Sequence, residues 1–134
     1  ADDSEVFTFS MHGEHNFPFA KCHGDLDIAL PEATSDELYL AALRDALNDR
    51  LPLATANVVF YLAGADPYEH DRLGKLKLTK AGLFERDQLV FAACGRHQIP
   101  VTVVMAGGYA QTIDDVVAIN EATLRALLHK LRRS

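Results

Sequence analysis

The stretch "NVVFYLAGADPYEHDRLG" (57–74) decides the fold. Its first half, "NVVFYLAG" (57–64), is apolar on both faces, which predicts a strand in the middle of a parallel sheet. Its second half gathers Asp66, Glu69, His70 and Asp71 in one loop. A buried strand that delivers four titratable side chains to a short loop either ends in a solvated connector or converges its charges on something positive.

Working outward, "VTVVMA" (101–106) is a second run apolar on both faces, and it ends in Gly107-Gly108. Between the two runs, Thr79 can cap a helix over roughly 80–97, closed by Gly95 and the "IP" at 99–100. "TIDD" (112–115) opens a last helix, with Ile113, Val116, Val117, Leu124, Leu127, Leu128 and Leu131 as its buried stripe. Upstream, "EVFTFS" (5–10) alternates as a strand, a loop runs from Met11 to about Gly24, and "DLDIAL" (25–30) reads as another strand. "TSDE" (34–37) matches a capping box, followed by Leu40, Leu43, Leu47 and Leu51 at helical spacing. Strands alternating with helices predict a single α/β domain over 1–134: three layers, a mostly parallel sheet and helices on both faces.

Composition narrows the function. Thirteen basic against nineteen acidic residues, a net charge of −6, argue against a phosphate-backbone binder. The basic end "HKLRRS" is read as a helix terminus, where cations are favoured. No apolar run is long enough to span a membrane, and the acidic start lacks the order of a secretory signal. Cys22 and Cys94 form neither a disulfide framework nor a CxxC site; Cys94 is expected buried, and a reducing, cytoplasmic setting is expected.

Ligands of open parallel sheets bind outside the carboxyl ends of the strands. The segments after Ser10, Gly64 and Gly107 are therefore expected to share one rim. On pattern alone, Asp66 reads first as an aspartate bonding its own turn before Pro67, and second as a metal ligand mounted on a rigid strand end. Asp71 reads as a loop stabiliser. Tyr109 either packs its ring on the rim or offers a phenol to a developing oxyanion. His12, His15 and His23 read as polar surface, and Phe17 either lines an apolar slot or pins its loop. The glycines near 107 match neither GxGxxG nor a P-loop, and nothing after the first strand supports a flavodoxin-like or receiver-like domain.

Three segments taken in order, "FSMHGEHNFP", "YLAGADPYEHDRLGKLKLTKAG" and "VTVVMAGGYAQ", resemble the C-terminal half of the histone deacetylase superfamily. The nearest likeness is to its bacterial and class IV-like members, which include acetoin-utilisation-type and acetylpolyamine deacetylases. The resemblance implies a partial arginase/deacetylase-like fold and a zinc-dependent amide hydrolase acting on acetylated lysine or polyamine. It gives Asp66 the role of a zinc ligand and Tyr109 that of the oxyanion-stabilising tyrosine. Gly107 and Gly108 fall beneath the substrate channel, Phe17 on its wall, and Ser10 with the Met11 carbonyl at a monovalent-cation site that would take potassium. The family's Asp-x-His ligands and tandem histidines have no counterpart in this sequence, and "CHGD" (22–25), out of order for the family's HGD, reads as a turn. The expectation is a piece or a truncated relative of a deacetylase that holds no metal stably and is inactive alone, and that pairs with a missing N-terminal half or with itself. The alternative is a stand-alone, non-catalytic module that self-associates or binds a partner through an exposed sheet edge.

Overall fold

The structure, a computed structural model, describes residues 3–131, with side chains as far as His129. The expectations for "HKLRRS" beyond His129 and for the side chain of Leu131 lie outside the described residues. The elements are β1 (Phe9–Gly13), β2 (Leu26–Leu30), α1 (Asp36–Asp45), β3 (Val59–Gly64), α2 (Lys80–Arg96), β4 (Val101–Ala106) and α3 (Ile113–Leu131). A π-helical turn, Ala46–Arg50, extends α1. Among the described residues both ladders are parallel: β1 pairs with β2, and β3 pairs with β4 in the register Val59↔Val101 to Gly64↔Ala106. The parallel α/β class matches the sequence pattern, but the strands form two separate two-stranded ladders rather than one sheet.

The β3–β4 ladder is clad on one face. Tyr61 of β3 meets Phe91 of α2 edge to face, with centroids 5.8 Å apart, and Ala63 is fully buried beside them. On the other face Phe60 and Leu62 stay 66% and 65% exposed, with Val104 of β4 next to them. The strand patterns therefore encode two buried faces, while the helices of this chain cover one. Each bare side chain forgoes about 1.5–3 kcal/mol of burial.

Three local expectations are corrected. The first strand starts at Phe9, not residue 5, and runs through Met11 into what the sequence presented as loop. Upstream, the Asp25 carboxylate replaces the ladder, taking the Thr8 amide (2.8 Å) and hydroxyl (2.7 Å) on Oδ2. Val6 and Phe7 are left exposed.

The capping box at 34–37 does not form. Ser35 is the N-cap without a side-chain bond, and the Thr34 hydroxyl donates to the Pro31 carbonyl. The Asp36 carboxylate instead accepts from the Thr79 amide (2.8 Å) and hydroxyl (2.6 Å), tying α1 to the start of α2. Thr79 does cap α2, accepting from the Gly82 amide, and a Cβ added to Gly82 would collide with Asp36 Oδ1. This junction needs glycine.

The stripe assigned to α3 is rotated. Ile119, Thr123 and Ala126 are buried and Val116 and Leu127 of the expected stripe are half-buried, whereas Ile113, Val117, Leu124 and Leu128 are exposed. Thr123 is accommodated inside because its hydroxyl reaches Asp87 Oδ2 at 2.6 Å. The helix turns a polar residue inward to meet a buried charge. Its apolar residues on the other side are left in solvent.

Candidate functional site at the carboxyl ends of β3 and β4

Because β3 and β4 are parallel and paired through Gly64↔Ala106, the segments that follow them leave the ladder at the same end. Asp66 follows β3 by two residues and Tyr109 follows β4 by three. The Ala65 amide donates to the carbonyls of Ala106 and Gly107, both at 3.2 Å, which holds the two exits together.

The Asp66 carboxylate sits in a recess walled by glycines. A Cβ added to Gly64 would collide with its Oδ1, and one added to Gly107 would lie 2.7 Å from the same atom. Gly107 also has φ +51° and Gly108 φ +134°, backbone that L side chains rarely adopt. Burial pushes the Asp66 carboxyl above its ordinary value; its own backbone amide and Arg86 act against this, and the charge of Asp71 acts with it.

Asp71 stabilises its own loop, as the sequence predicts, while the Asp66 carboxylate takes its own backbone amide. Asp71 Oδ1 accepts from the amides of Leu73 (2.8 Å) and Gly74 (2.6 Å), and Oδ2 accepts from the Tyr109 amide at 2.5 Å. Asp71 is 7% exposed. Tyr109 is 56% exposed, so packing does not fix its ring, while its backbone is bound to the Asp66 loop.

Beneath the recess lies a buried polar cluster. Arg86 Nη1 donates to the Gly64 carbonyl (2.6 Å) and its Nε to Asp87 Oδ1 (2.9 Å), while the Tyr61 hydroxyl donates to that same oxygen (2.5 Å). Burial, more than any neighbouring charge, pushes the Tyr61 and Tyr39 phenols upward, keeping both protonated. Arg86 and Asp87 carry no motif in the sequence. The available signal was Asp87 itself, a charge on the apolar row Leu83, Val90, Phe91, Cys94 of α2.

The other predicted residues lie on the β1–β2 side. The Ser10 hydroxyl bonds His12 Nδ1 at 2.8 Å, and Met11 packs against the core. Burial, then Lys21, pulls His12 below its ordinary value, against Asp27. Phe17 is 83% exposed and touches Phe19 edge-on, with centroids 6.1 Å apart, so it pins nothing to the core. His15 and His23 are surface residues, Cys22 is exposed and Cys94 is buried. The rim is nevertheless shared: the Lys75 amide donates to Asn16 Oδ1 (3.1 Å), the Ala33 amide to the Lys75 carbonyl (2.8 Å) and the Lys77 amide to the Thr34 carbonyl (3.0 Å). The loop that begins at Asp66 thus gathers the exits of β1 and β2.

Among the described residues no group of three or more His, Cys, Asp or Glu side chains is placed to hold a metal ion. A hydrolytic zinc site takes three protein ligands; the recessed Asp66 carboxylate has the chemistry of one of them. No helix among the described residues is long and apolar enough to cross a membrane.

A parallel α/β scaffold with a recessed aspartate and a tyrosine leaving the same end of a strand pair defines the class: an open parallel sheet with its candidate site at the carboxyl ends of the strands. Comparison with known proteins makes this specific. A family profile described as the histone deacetylase domain matches residues 1–127, and the chain belongs to that family. It is 46% identical over 132 residues to an uncharacterized protein of Picosynechococcus sp., covering 98% of this chain and 42% of that protein. It is 30% identical over 120 residues to histone deacetylase 2 of Arabidopsis thaliana, covering 87% of this chain and 31% of the relative. Among solved structures it is similar to a deacetylase homolog complexed with SAHA (TM-score 0.70, 23% identity, 96% of this chain and 36% of that one). It is also similar to the HDA15 HD domain (TM-score 0.66, 23% identity, 92% and 38%). The chain therefore spans less than half the length of these relatives.

Proposed function

We propose that this segment is the part of a zinc-dependent, histone deacetylase-like amide hydrolase that contributes one metal-ligand carboxylate, Asp66, and the oxyanion-stabilising phenol, Tyr109. The observation that carries the reading is the glycine-walled recess, which presents a carboxylate at the strand end from which Tyr109 also emerges. Gly107 and Gly108 line the approach, Phe17 belongs to the channel wall, and Ser10 with the Met11 carbonyl belongs to a potassium site. The subgroup is the bacterial, class IV-like one, supported by the spacing of Gly64, Asp66, Asp71, Leu73 and Gly74 before "LTKAG". The substrate class is an N-acetylated amine, lysine or polyamine.

Within that reaction the tyrosine hydroxyl donates to the oxygen that gains charge when the amide carbonyl is attacked. The recess keeps Asp66 poorly solvated, a cost that a bound cation offsets. The remaining ligands and the base are absent from this sequence, which has no Asp-x-His and no tandem histidine. The purified 134-residue chain is therefore inactive on acetyl-lysine peptides with zinc present; turnover above background refutes this. Joined to a polypeptide that carries those motifs, it gains hydrolysis that Tyr109→Phe lowers by about 10²–10³-fold. Activity untouched by Tyr109→Phe overturns the assignment.

The bare face of Phe60, Leu62 and Val104 favours a second reading, a non-catalytic module that self-associates. Light scattering separates the two: concentration-dependent dimers with no gain of activity on joining support the module.

A further inference from the structure

We infer that Asp71 is a positioning residue for Tyr109, locking the tyrosine's backbone to the loop that carries Asp66. The inference rests on the reading of Tyr109 given above and adds a residue to it. Tyr109 follows two glycines with positive φ, so the chain behind it offers little directional restraint. Its ring is more than half exposed, so packing does not aim the phenol. What remains is the peptide on either side, and both of its polar groups are held by consecutive residues of the other loop. Asp71 Oδ2 accepts from the Tyr109 amide at 2.5 Å. The Tyr109 carbonyl accepts from the Arg72 amide (3.1 Å) and from Arg72 Nε (3.2 Å). The Gln111 amide then donates to the His70 carbonyl at 3.1 Å, and Asp71 and Ala110 form an antiparallel bridge.

Asp71 is as firmly tied on its other side. Its Oδ1 holds the Leu73 and Gly74 amides, and Gly74 passes so close to Asp66 that a Cβ added there would collide with the Asp66 carbonyl oxygen. One buried carboxylate thus fixes, with its two oxygens, the turn against Asp66 and the peptide of Tyr109. An amide cannot replace it: the side chain left by Asp71→Asn accepts on one side only and presents N–H to N–H on the other.

The test reads the clamp directly in the 134-residue chain, without turnover, so its outcome is independent of whether Tyr109 is catalytic. In isotope-labelled wild-type protein, a scalar coupling across the hydrogen bond between the Tyr109 nitrogen and the Asp71 carboxyl carbon is expected; its absence overturns the inference even if every variant misfolds. In Asp71→Ala, which removes both acceptor oxygens, the Tyr109 amide should exchange with solvent roughly tenfold to a hundredfold faster, as expected for losing a charge-assisted bond. The amides of β3 should keep their protection. Faster exchange confined to Leu73 and Gly74, with Tyr109 unchanged, reduces Asp71 to a turn stabiliser and overturns the positioning role.

Discussion

The two faces of the β3–β4 ladder are built from the same kinds of residue and meet opposite fates. Val59, Tyr61 and Ala63 alternate with Phe60 and Leu62 along one strand. The first set packs on the core side, Ala63 buried and Val59 and Tyr61 partly so, and Tyr61 meets Phe91 of α2 edge to face and reaches Asp87. The second set is in solvent. The difference is not in the strand but in what the described residues supply to cover it. A sequence pattern reports how many faces a strand was selected to bury, whether or not the same segment buries them.

The sharpest way to break the comparison is on the sealed side. Asp87→Ala leaves the buried Arg86 guanidinium without its partner and should cost about 3–5 kcal/mol in urea unfolding, close to the whole stability of a small domain. Tyr61→Phe keeps the edge-to-face contact with Phe91 and removes only the hydroxyl, with an expected loss of about 1–3 kcal/mol by the same measurement.

At the strand end the sign reverses. Because burial raises the Asp66 pKa, the folded state binds its proton more tightly than the unfolded chain, and the ionised form opposes folding. Asp66→Asn should therefore raise the melting temperature at neutral pH. That gain should shrink as pH falls into the carboxyl range and vanish below the ordinary value of 3.8. On the open face, Phe60→Ser combined with Leu62→Ser should shift stability by about 0.5 kcal/mol or less. The same pair should abolish any association seen by light scattering. A large destabilisation from these two would show that the face is covered in solution.

What the sequence discloses divides along the same line. β3, β4 and α2 are legible because their signals are local: apolar runs, and Thr79 at the head of a helix. The exit of Asp66 and Tyr109 at a common end follows from parallel pairing alone, and so was legible too. The start of β1 and the cap of α1 were not, because Asp25 and Asp36 commit their carboxylates to partners 17 and 43 residues away. The inward turn of Thr123 depends on Asp87, 36 residues earlier in the chain. The second bond of Asp71 is hidden for the same reason, since its partner Tyr109 lies 38 residues on. Polar side chains that bond at long range leave no periodic trace.

The bare sheet face carries one more consequence. Whatever seats on Phe60 and Leu62 and ignores the unfolded chain acts as a thermodynamic ligand, adding stability by mass action at roughly 1.4 kcal/mol for each tenfold rise in its free concentration above Kd. For such a surface, melting temperature is not a fixed property of the polypeptide but a readout of how much of its counterpart is in solution.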